Sequence, residues 1–179
     1  MMKPEPARPV KYFVGALYSS KEILDEAIKT LEGQLSSVDY ESESFPFKGA
    51  DYYDSEMGIP IYRKFFSFTD PISPGFLAEA KLMTNETEIL LAISGHRKVN
   101  LDVGYMDYDK VVLASAKYGI HKIYLENGIY ADMALHYEKG KFTPYHWAFM
   151  DFRSPEYYPF FLKIRSKYKS QVKHLVSPG

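Results

Sequence analysis

Residues 98–142 decide the fold, and they read KVNLDVGYMDYDKVVLASAKYGIHKIYLENGIYADMALHYEKGKF. Two of their segments, residues 122–126 and 129–137, are rich in β-branched and aromatic residues and are separated by Asn127-Gly128. Asn and Gly readily adopt the positive φ angles of a two-residue type I′ turn. The pattern therefore predicts a β-hairpin in which Glu126 pairs with Ile129.

The predicted register also assigns the two faces of this hairpin. The remaining pairs follow by alternation along the strands: Tyr124 with Ala131, Ile123 with Asp132, and His121 with Ala134. One face is then apolar and consists of Tyr124, Ile129, Ala131, Met133 and Leu135. The other face is mixed and consists of His121, Ile123, Leu125, Tyr130, Asp132 and His136. A longer loop would shift the register by one residue and exchange the faces, so this assignment holds only for a two-residue turn.

The composition is typical of one globular domain. Of 179 residues, 46% are hydrophobic and 25% are charged, which excludes a disordered chain. No apolar segment approaches the ~20 residues of a transmembrane helix. Residues 1–11 (MMKPEPARPVK) lack the apolar stretch of a signal peptide, so we expect a cytoplasmic protein with no membrane partner. Three Asn and two Gln are few for this length, which favours a thermophilic source.

Charge, cysteine and aromatic content narrow the function classes. A net charge of −1 argues against a nucleic-acid partner bound through a broad basic field. The absence of cysteine excludes disulfides, thiolate nucleophiles and Cys-ligated zinc. The 16 Tyr and 12 Phe are typical of a core with half-buried aromatic belts, and a surface that stacks on a ligand is the alternative.

The chain in order predicts an α+β fold. Strands are expected at residues 10–17, 39–47, 62–69 and 99–105, and helices at about 20–35, 74–94 and 155–172. Ser19 or Ser20 caps the first helix, and Ser73-Pro74 begins the second. Residues 111–116 are either a buried strand or a helical turn. The acidic segment 48–60 is interpreted as a solvated loop, with a lid or a cation site as the alternative.

This order corresponds to a single domain with a mainly antiparallel, mixed sheet and about three helices. Its βαββαβ start is ferredoxin-like and is extended by the hairpin. We expect a flexible lead at residues 1–9, the domain at residues 10–172 and a loose tail at residues 173–179.

Nucleotide and hydrolase motifs are absent from the sequence. It contains no GxxxxGK[ST], GxGxxG, GxSxG or HExxH pattern, so a phosphate-binding loop, a serine nucleophile elbow and a zincin site are unsupported.

Seven polar side chains form the predicted site. We assign catalytic roles to His121, Asp132 and Asp102, because a histidine beside a carboxylate suits proton transfer. Ligand-binding roles are assigned to Asn100, Tyr105, Lys117 and Arg153. Structural hydrogen bonds are the alternative for this set, and an ion-paired corner at the start of the last helix is the alternative for Arg153.

A metal-ion site is a further alternative on the hairpin. Two histidines and a carboxylate on one sheet face, here His121, His136 and Asp132, suit Zn²⁺ or Fe²⁺. We assign no metal ligand, and the cofactor is unknown.

Several phrases together resemble a known family. They are PVKYFVGAL, ESFPF, DYYDSEMG, NLDVGY, KVVLASAK, HKIYLENGIYAD and DFRSPEYYPFF. The match, from about Pro9 to Tyr168, is to the bacterial family called domain of unknown function 4416 (DUF4416). Val103 stands where that family usually has Pro, Asp132 where it tends to have Glu, and His136 lies on no family motif. The resemblance implies no activity, cofactor or catalytic residue, and it favours Asn100, Asp102, Lys117, His121 and Asp132 as the set to test.

The leading hypothesis for function is therefore the binding of a small polar or anionic ligand in a pocket near residues 98–136. Whether the protein is also an enzyme is left open, as is its oligomeric state. The competing hypothesis is a non-catalytic interaction module that docks a protein partner through a Tyr- and Phe-rich surface.

Overall fold

A nine-stranded antiparallel sheet runs through the molecule in a computed structural model that describes residues 1–49 and 51–175. The strands are β1 (Lys11–Tyr18), β2 (Val38–Glu41), β3 (Phe45–Pro46), β4 (Tyr62–Phe68), β5 (Val99–Met106), β6 (Lys110–Ser115), β7 (Ile123–Glu126), β8 (Ile129–Glu138) and β9 (Lys141–Pro144). Their order is β2-β4-β1-β5-β6-β8-β7, with β3 beside β4 and β9 beside β8. All eight pairings are antiparallel.

Helices cover both faces of the sheet. They are α1 (Lys21–Gln34), α2 (Asp51–Met57), α3 (Leu77–Leu90) and α4 (Tyr158–Lys173). The helices α1 and α3 pack in one core with the odd-numbered side chains of β5, such as Leu101. The helix α4 packs on the opposite face with Phe13, Phe65 and Leu113. A third, smaller cluster joins Leu17 to Met57 of α2. The α+β single-domain class is thus confirmed, with the ferredoxin-like description of its start remaining a prediction.

Local sequence signals place most helix ends. Ser20 caps α1 by accepting a hydrogen bond from the amide of Ile23 at 3.4 Å, as one of the two serines was expected to do. Ser73 accepts from the amide of Gly75, and a 3-10 turn (Pro74–Phe76) leads into α3. Two further 3-10 turns, Asp151–Arg153 and Pro155–Tyr157, precede α4.

Two elements differ from the prediction. Helix α2 occupies residues 51–57, where a solvated loop was expected, and part of that predicted loop, Ala50, lies outside the described residues. Its Met57 is buried against Leu17, so tertiary packing stabilises a helix of only seven residues. The strand expected at residues 39–47 is two short strands, β2 and β3, separated by residues 42–44.

The hairpin has the predicted turn but not the predicted register. Asn127 and Gly128 have φ angles of 52° and 75°, and Glu126 pairs with Ile129. A β-bulge follows at Leu125, so Tyr124 pairs with Tyr130 and not with Ala131. The extra residue on β7 shifts the later pairs by one, so the predicted partners of Tyr124 and Ile123 are wrong. His121 precedes β7 and pairs with no residue of β8, so its predicted pairing with Ala134 is wrong as well.

A second bulge changes the apolar face of β8. Val111 pairs with Leu135 and Val112 with Met133, which leaves Ala134 as the extra residue. Ile129, Ala131 and Met133 pack in the α1/α3 core as expected, but Leu135 packs on the α4 side. Tyr124, predicted on the apolar face, is 57% exposed.

No helix in the described part of the chain is long and apolar enough to cross a membrane. The division into a lead at residues 1–9, a domain at residues 10–172 and a tail at residues 173–179 stays a prediction. Residues 176–179 of that tail lie outside the described residues.

Candidate functional site

The sheet opens between β5 and β6. These strands pair only through residues 104–106 and 111–113. On the β5 side of the opening lie Asn100 and Asp102, and on the β6 side lie residues 113–116. Unpaired backbone groups at such an opening need other partners, because a buried amide or carbonyl without a hydrogen bond is destabilising.

Helix α3 supplies those partners. Glu88 accepts a hydrogen bond from the Leu101 amide at 2.6 Å, and Lys81 donates to the Leu101 carbonyl oxygen at 3.1 Å. Both residues are buried: the exposed fraction is 5% for Glu88 and 7% for Lys81. Two charged groups from one face of the sheet thus reach the gap, where they meet Asn100 and Asp102, which project from the other face.

Arg63 completes the charged floor of the site. Although β1 lies between β4 and β5, the Arg63 guanidinium reaches Asp102, with 2.8 Å from Nη1 to Oδ2. It also donates to Asp151 from Nη2 at 3.0 Å. The route passes over Gly15 of β1, where an added Cβ would lie 2.7 Å from a Phe65 ring carbon and 3.3 Å from Arg63 Nη1. Glycine at position 15 therefore makes room for the ion pair.

The hydrogen bonds continue from Asp102 to α2. Asn100 donates to Asp102 Oδ2 at 3.0 Å and accepts from Arg97 Nη1 at 3.2 Å. Arg97 binds both carboxylate oxygens of Glu56 at 2.9 Å and 3.0 Å, a bidentate pair that fixes the end of α2. The Tyr53 hydroxyl of α2 lies 3.5 Å from Asn100 Oδ1.

Two adjacent cavities, here called lobes, lie above this floor and share part of their lining. The smaller lobe, 290 Å³, occupies the β5–β6 gap, and its polar lining is Lys81, Asn85, Glu88, Arg97, Asn100, Asp102, Ser115, Lys117 and Lys122. The larger lobe, 670 Å³, lies between α2 and the turns before α4, and it is lined mainly by Phe47, Lys48, Tyr52, Tyr53, Arg63, Asp102, Phe149, Met150, Asp151, Glu156 and Tyr157. Four residues line both lobes: Tyr52, Tyr53, Asp102 and Phe149.

The two carboxylates of the smaller lobe are shifted in opposite directions. Burial raises the pKa of Glu88, against the opposing charges of Lys81 and Arg97. Burial also acts to raise the pKa of Asp102, but the charges of Arg63 and Lys81 and the hydrogen bonds from Arg63 and Asn100 outweigh it, and that pKa is lowered. Two carboxyl groups with divergent pKa values in one cavity are suited to acid and base roles.

The structure brings some of the predicted residues together and separates others. Asn100, Asp102 and Lys117 all line the smaller lobe. Tyr105 projects from the other face of β5, against Tyr12, and lines neither lobe. Arg153 donates to the carbonyl oxygens of Ala148 and His146, so it fixes the turn before α4 and lies outside both lobes.

His121 and Asp132 lie near each other and near Lys122 of the smaller lobe, but neither of them lines either lobe. The His121 ring stacks on Trp147, with centroids 4.4 Å apart, and Trp147 Nε1 donates to the Met133 carbonyl oxygen at 2.8 Å. Asp132 is 5% exposed, and its Oδ1 has no hydrogen-bond partner among the described residues. Burial raises the pKa of Asp132, while the nearby charges of Lys122 and His121 oppose the shift.

The hairpin histidines do not assemble a metal site with Asp132. In the described part of the chain, no three His, Asp or Glu side chains form a group that could hold a metal ion.

Three buried charged residues of the site were missed in the sequence, namely Arg63, Lys81 and Glu88, as were the more exposed Arg97 and Lys122. A usable signal existed for each of the three buried residues. Lys81 and Glu88 occupy positions that the helical spacing assigns to the buried face of α3, together with residues 77 and 84. Arg63 lies on the same face of β4 as Phe65 and Ser67, which are buried. A charge at a core position indicates a buried partner or a ligand.

The comparisons identify the family but add no activity. The model of the domain of unknown function DUF4416 matches residues 8–168, and the chain belongs to this family, as the resemblance implied. The comparisons with curated proteins and with solved structures found no match.

Proposed function

We propose that this member of the DUF4416 family binds a small anionic ligand in the smaller lobe. Lys81 carries the proposal: the residue is buried, it lines the lobe, and its ammonium group donates to one backbone carbonyl oxygen although it has three donors. A buried cation with unused donors is costly unless a further acceptor binds there. An anion in the lobe would supply that acceptor.

The charge of the lobe supports the same ligand class. Its lining contains four cations (Lys81, Arg97, Lys117 and Lys122) and two carboxylates (Glu88 and Asp102), a net of +2 with both carboxylates ionised. Arg97 is paired with Glu56, whereas Lys117 has no ion pair among the described residues. Excess positive charge in a concave, partly dry site favours an anionic ligand.

A thermal-shift screen tests this proposal. Because we predict a cytoplasmic protein, the panel contains inorganic phosphate, sulfate, citrate, nucleotides, sugar phosphates and neutral sugars. An anion at about 100 times its Kd should stabilise the protein by about 2.7 kcal/mol. A flat response across the anions contradicts the proposal and favours the interaction module, which the exposed side chains of Tyr118, Ile120, Ile123 and Tyr124 support.

A second candidate is an enzyme that uses Asp132 and His121 for proton transfer. The specific observation is the buried Asp132 Oδ1 without a partner, next to His121 and to Lys122 of the smaller lobe. A ligand in the smaller lobe would meet the carboxylate of Asp102 directly, and a part of it that extends past Lys122 would approach the imidazole of His121. His121→Gln is the test, because His121 is exposed and its loss should leave the fold intact. Unchanged turnover in this variant, once a substrate is known, would remove His121 from the mechanism.

A further inference from the structure

The two lobes differ in charge, and this difference orients a ligand. The smaller lobe has a net of +2, as described above. The larger lobe has two cations, Lys48 and Arg63, and three carboxylates, Asp102, Asp151 and Glu156. Arg63 is itself bound to Asp102 and Asp151. An anionic group therefore belongs in the smaller lobe, and the rest of a longer ligand extends into the larger one.

Aromatic side chains lie at the boundary between the two lobes. Tyr52, Tyr53 and Phe149 line both cavities. The rings of Tyr52 and Tyr53 are 4.1 Å apart, and Tyr52 and Phe149 are 54% and 52% exposed. Exposed aromatic faces beside a charged cavity are suited to stacking on a planar ring.

Asp102 lies at the same boundary, and one of its carboxylate oxygens is available to accept hydrogen bonds. Its Oδ2 accepts from Arg63 and Asn100, whereas no described residue donates to Oδ1. Its side chain is 30% exposed. A carboxylate oxygen in this position is suited to accept hydrogen bonds from the hydroxyl groups of a sugar.

From this order of features we infer that the ligand is a nucleoside monophosphate. The inference rests on the proposed anion site. The dianionic phosphate lies in the smaller lobe near Lys81, the ribose hydroxyls meet Asp102, and the base stacks on Tyr52 and Phe149 in the larger lobe. Both cavities together are of the size typical of small-molecule sites, about 300–1,000 Å³.

Calorimetric titration of the full chain with AMP, UMP, ribose 5-phosphate and inorganic phosphate tests the inference. We expect at least one nucleotide to bind about tenfold or more tightly than ribose 5-phosphate, because stacking on aromatic side chains stabilises a bound base. In Phe149→Ala this preference for the nucleotide should fall to less than about threefold. The control is Ile120→Ala, which removes an exposed apolar side chain that lines neither lobe and should keep the preference.

Three other results would each contradict part of this account. Equal affinities for ribose 5-phosphate and both nucleotides would overturn the nucleotide assignment in favour of a sugar phosphate. Binding of inorganic phosphate alone would also overturn it but would leave the anion site in place. No binding of any of the four compounds would contradict the proposed function itself.

Discussion

Arg63 and Asp102 form an ion pair, 2.8 Å from Nη1 to Oδ2, across a strand to which neither belongs. The strand between them, β1, has Gly15 at the crossing, and Gly15 pairs with both Phe65 and Asp102. The guanidinium also donates to the Gly15 carbonyl oxygen at 3.0 Å. The floor of the site therefore depends on a residue that has no side chain.

Gly15→Ala should destabilise the protein by about 1–3 kcal/mol, because the new methyl group overlaps the Phe65 ring and crowds Arg63. Urea unfolding measures the loss. Gly33→Ala is the matched control, since outside the backbone of its own helix no other group lies within 4 Å of its added Cβ, and since alanine favours a helix, so its stability should stay equal or rise. Equal stability of Gly15→Ala and the wild type would show that the crossing tolerates a side chain.

Asp102→Asn tests the charge of the same ion pair through pH. The pKa of Asp102 is lowered in the folded protein, so its contribution to stability is present above the ordinary carboxyl pKa of 3.8 and is lost as the pH falls through the folded pKa. At pH 7 the variant should be less stable by about 1.5–3 kcal/mol. The difference from the wild type should shrink below pH 3.8, where the carboxyl of the unfolded wild type becomes neutral, and should be lost once the pH falls through the lowered pKa of the folded protein.

Other carboxyl groups titrate in both Asp102→Asn and the wild type, so their effect cancels in the difference between the two unfolding free energies. Asp25→Asn serves as the control, because Asp25 is exposed in a surface pair with Lys21. A difference between Asp102→Asn and the wild type that is constant from pH 7 to pH 2.5 would mean that the charge of Asp102 contributes nothing.

Arg97→Gln should release α2 from the sheet. The bidentate pair with Glu56 is the ion pair at the end of this helix, beside a hydrogen bond from Lys98 to the Glu56 carbonyl oxygen, and the glutamine amide cannot reproduce that pair. Hydrogen exchange of the amides in residues 51–57 should become faster, while amides of β1 keep their protection. Arg8→Gln, at the Tyr108 ring, is the control and should leave α2 unchanged. Equal exchange of α2 in Arg97→Gln and the wild type would show that packing alone holds it.

The sequence predicted elements that depend on local periodicity. The helices α1, α3 and α4, the major strands and the Asn127-Gly128 turn follow from spacing, capping and φ preferences that neighbouring residues determine. The bulges at Leu125 and Ala134 did not follow, because each is decided by how a strand fits its partner. The short helix α2 also depends on distant packing.

The site residues also separate into those that local sequence predicts and those that only the packing of distant segments brings together. Asn100, Asp102 and Lys117 were expected because they lie in one polar segment, and the structure places all three around one lobe. Arg63 and Lys81 belong to segments that otherwise match the apolar pattern of a core, so only the fold shows that both charges lie near Asp102. Sequence spacing predicts which face a side chain occupies, but not which other element reaches the same point.

Calorimetric titration of Lys81→Met with inorganic phosphate tests the proposed anion site most directly. Methionine has a similar length and no charge but leaves the Leu101 carbonyl oxygen without its donor, so the variant should be less stable but still folded, and circular dichroism checks this. The wild type should bind phosphate saturably, and Lys81→Met should bind it about tenfold or more weakly, since hydrogen bonds to a charged group contribute about 1.5–3 kcal/mol. Lys29→Met on the exposed face of α1 is the control and should bind as the wild type does. Equal affinity of Lys81→Met and the wild type would contradict the assignment of Lys81 as the anion-binding residue.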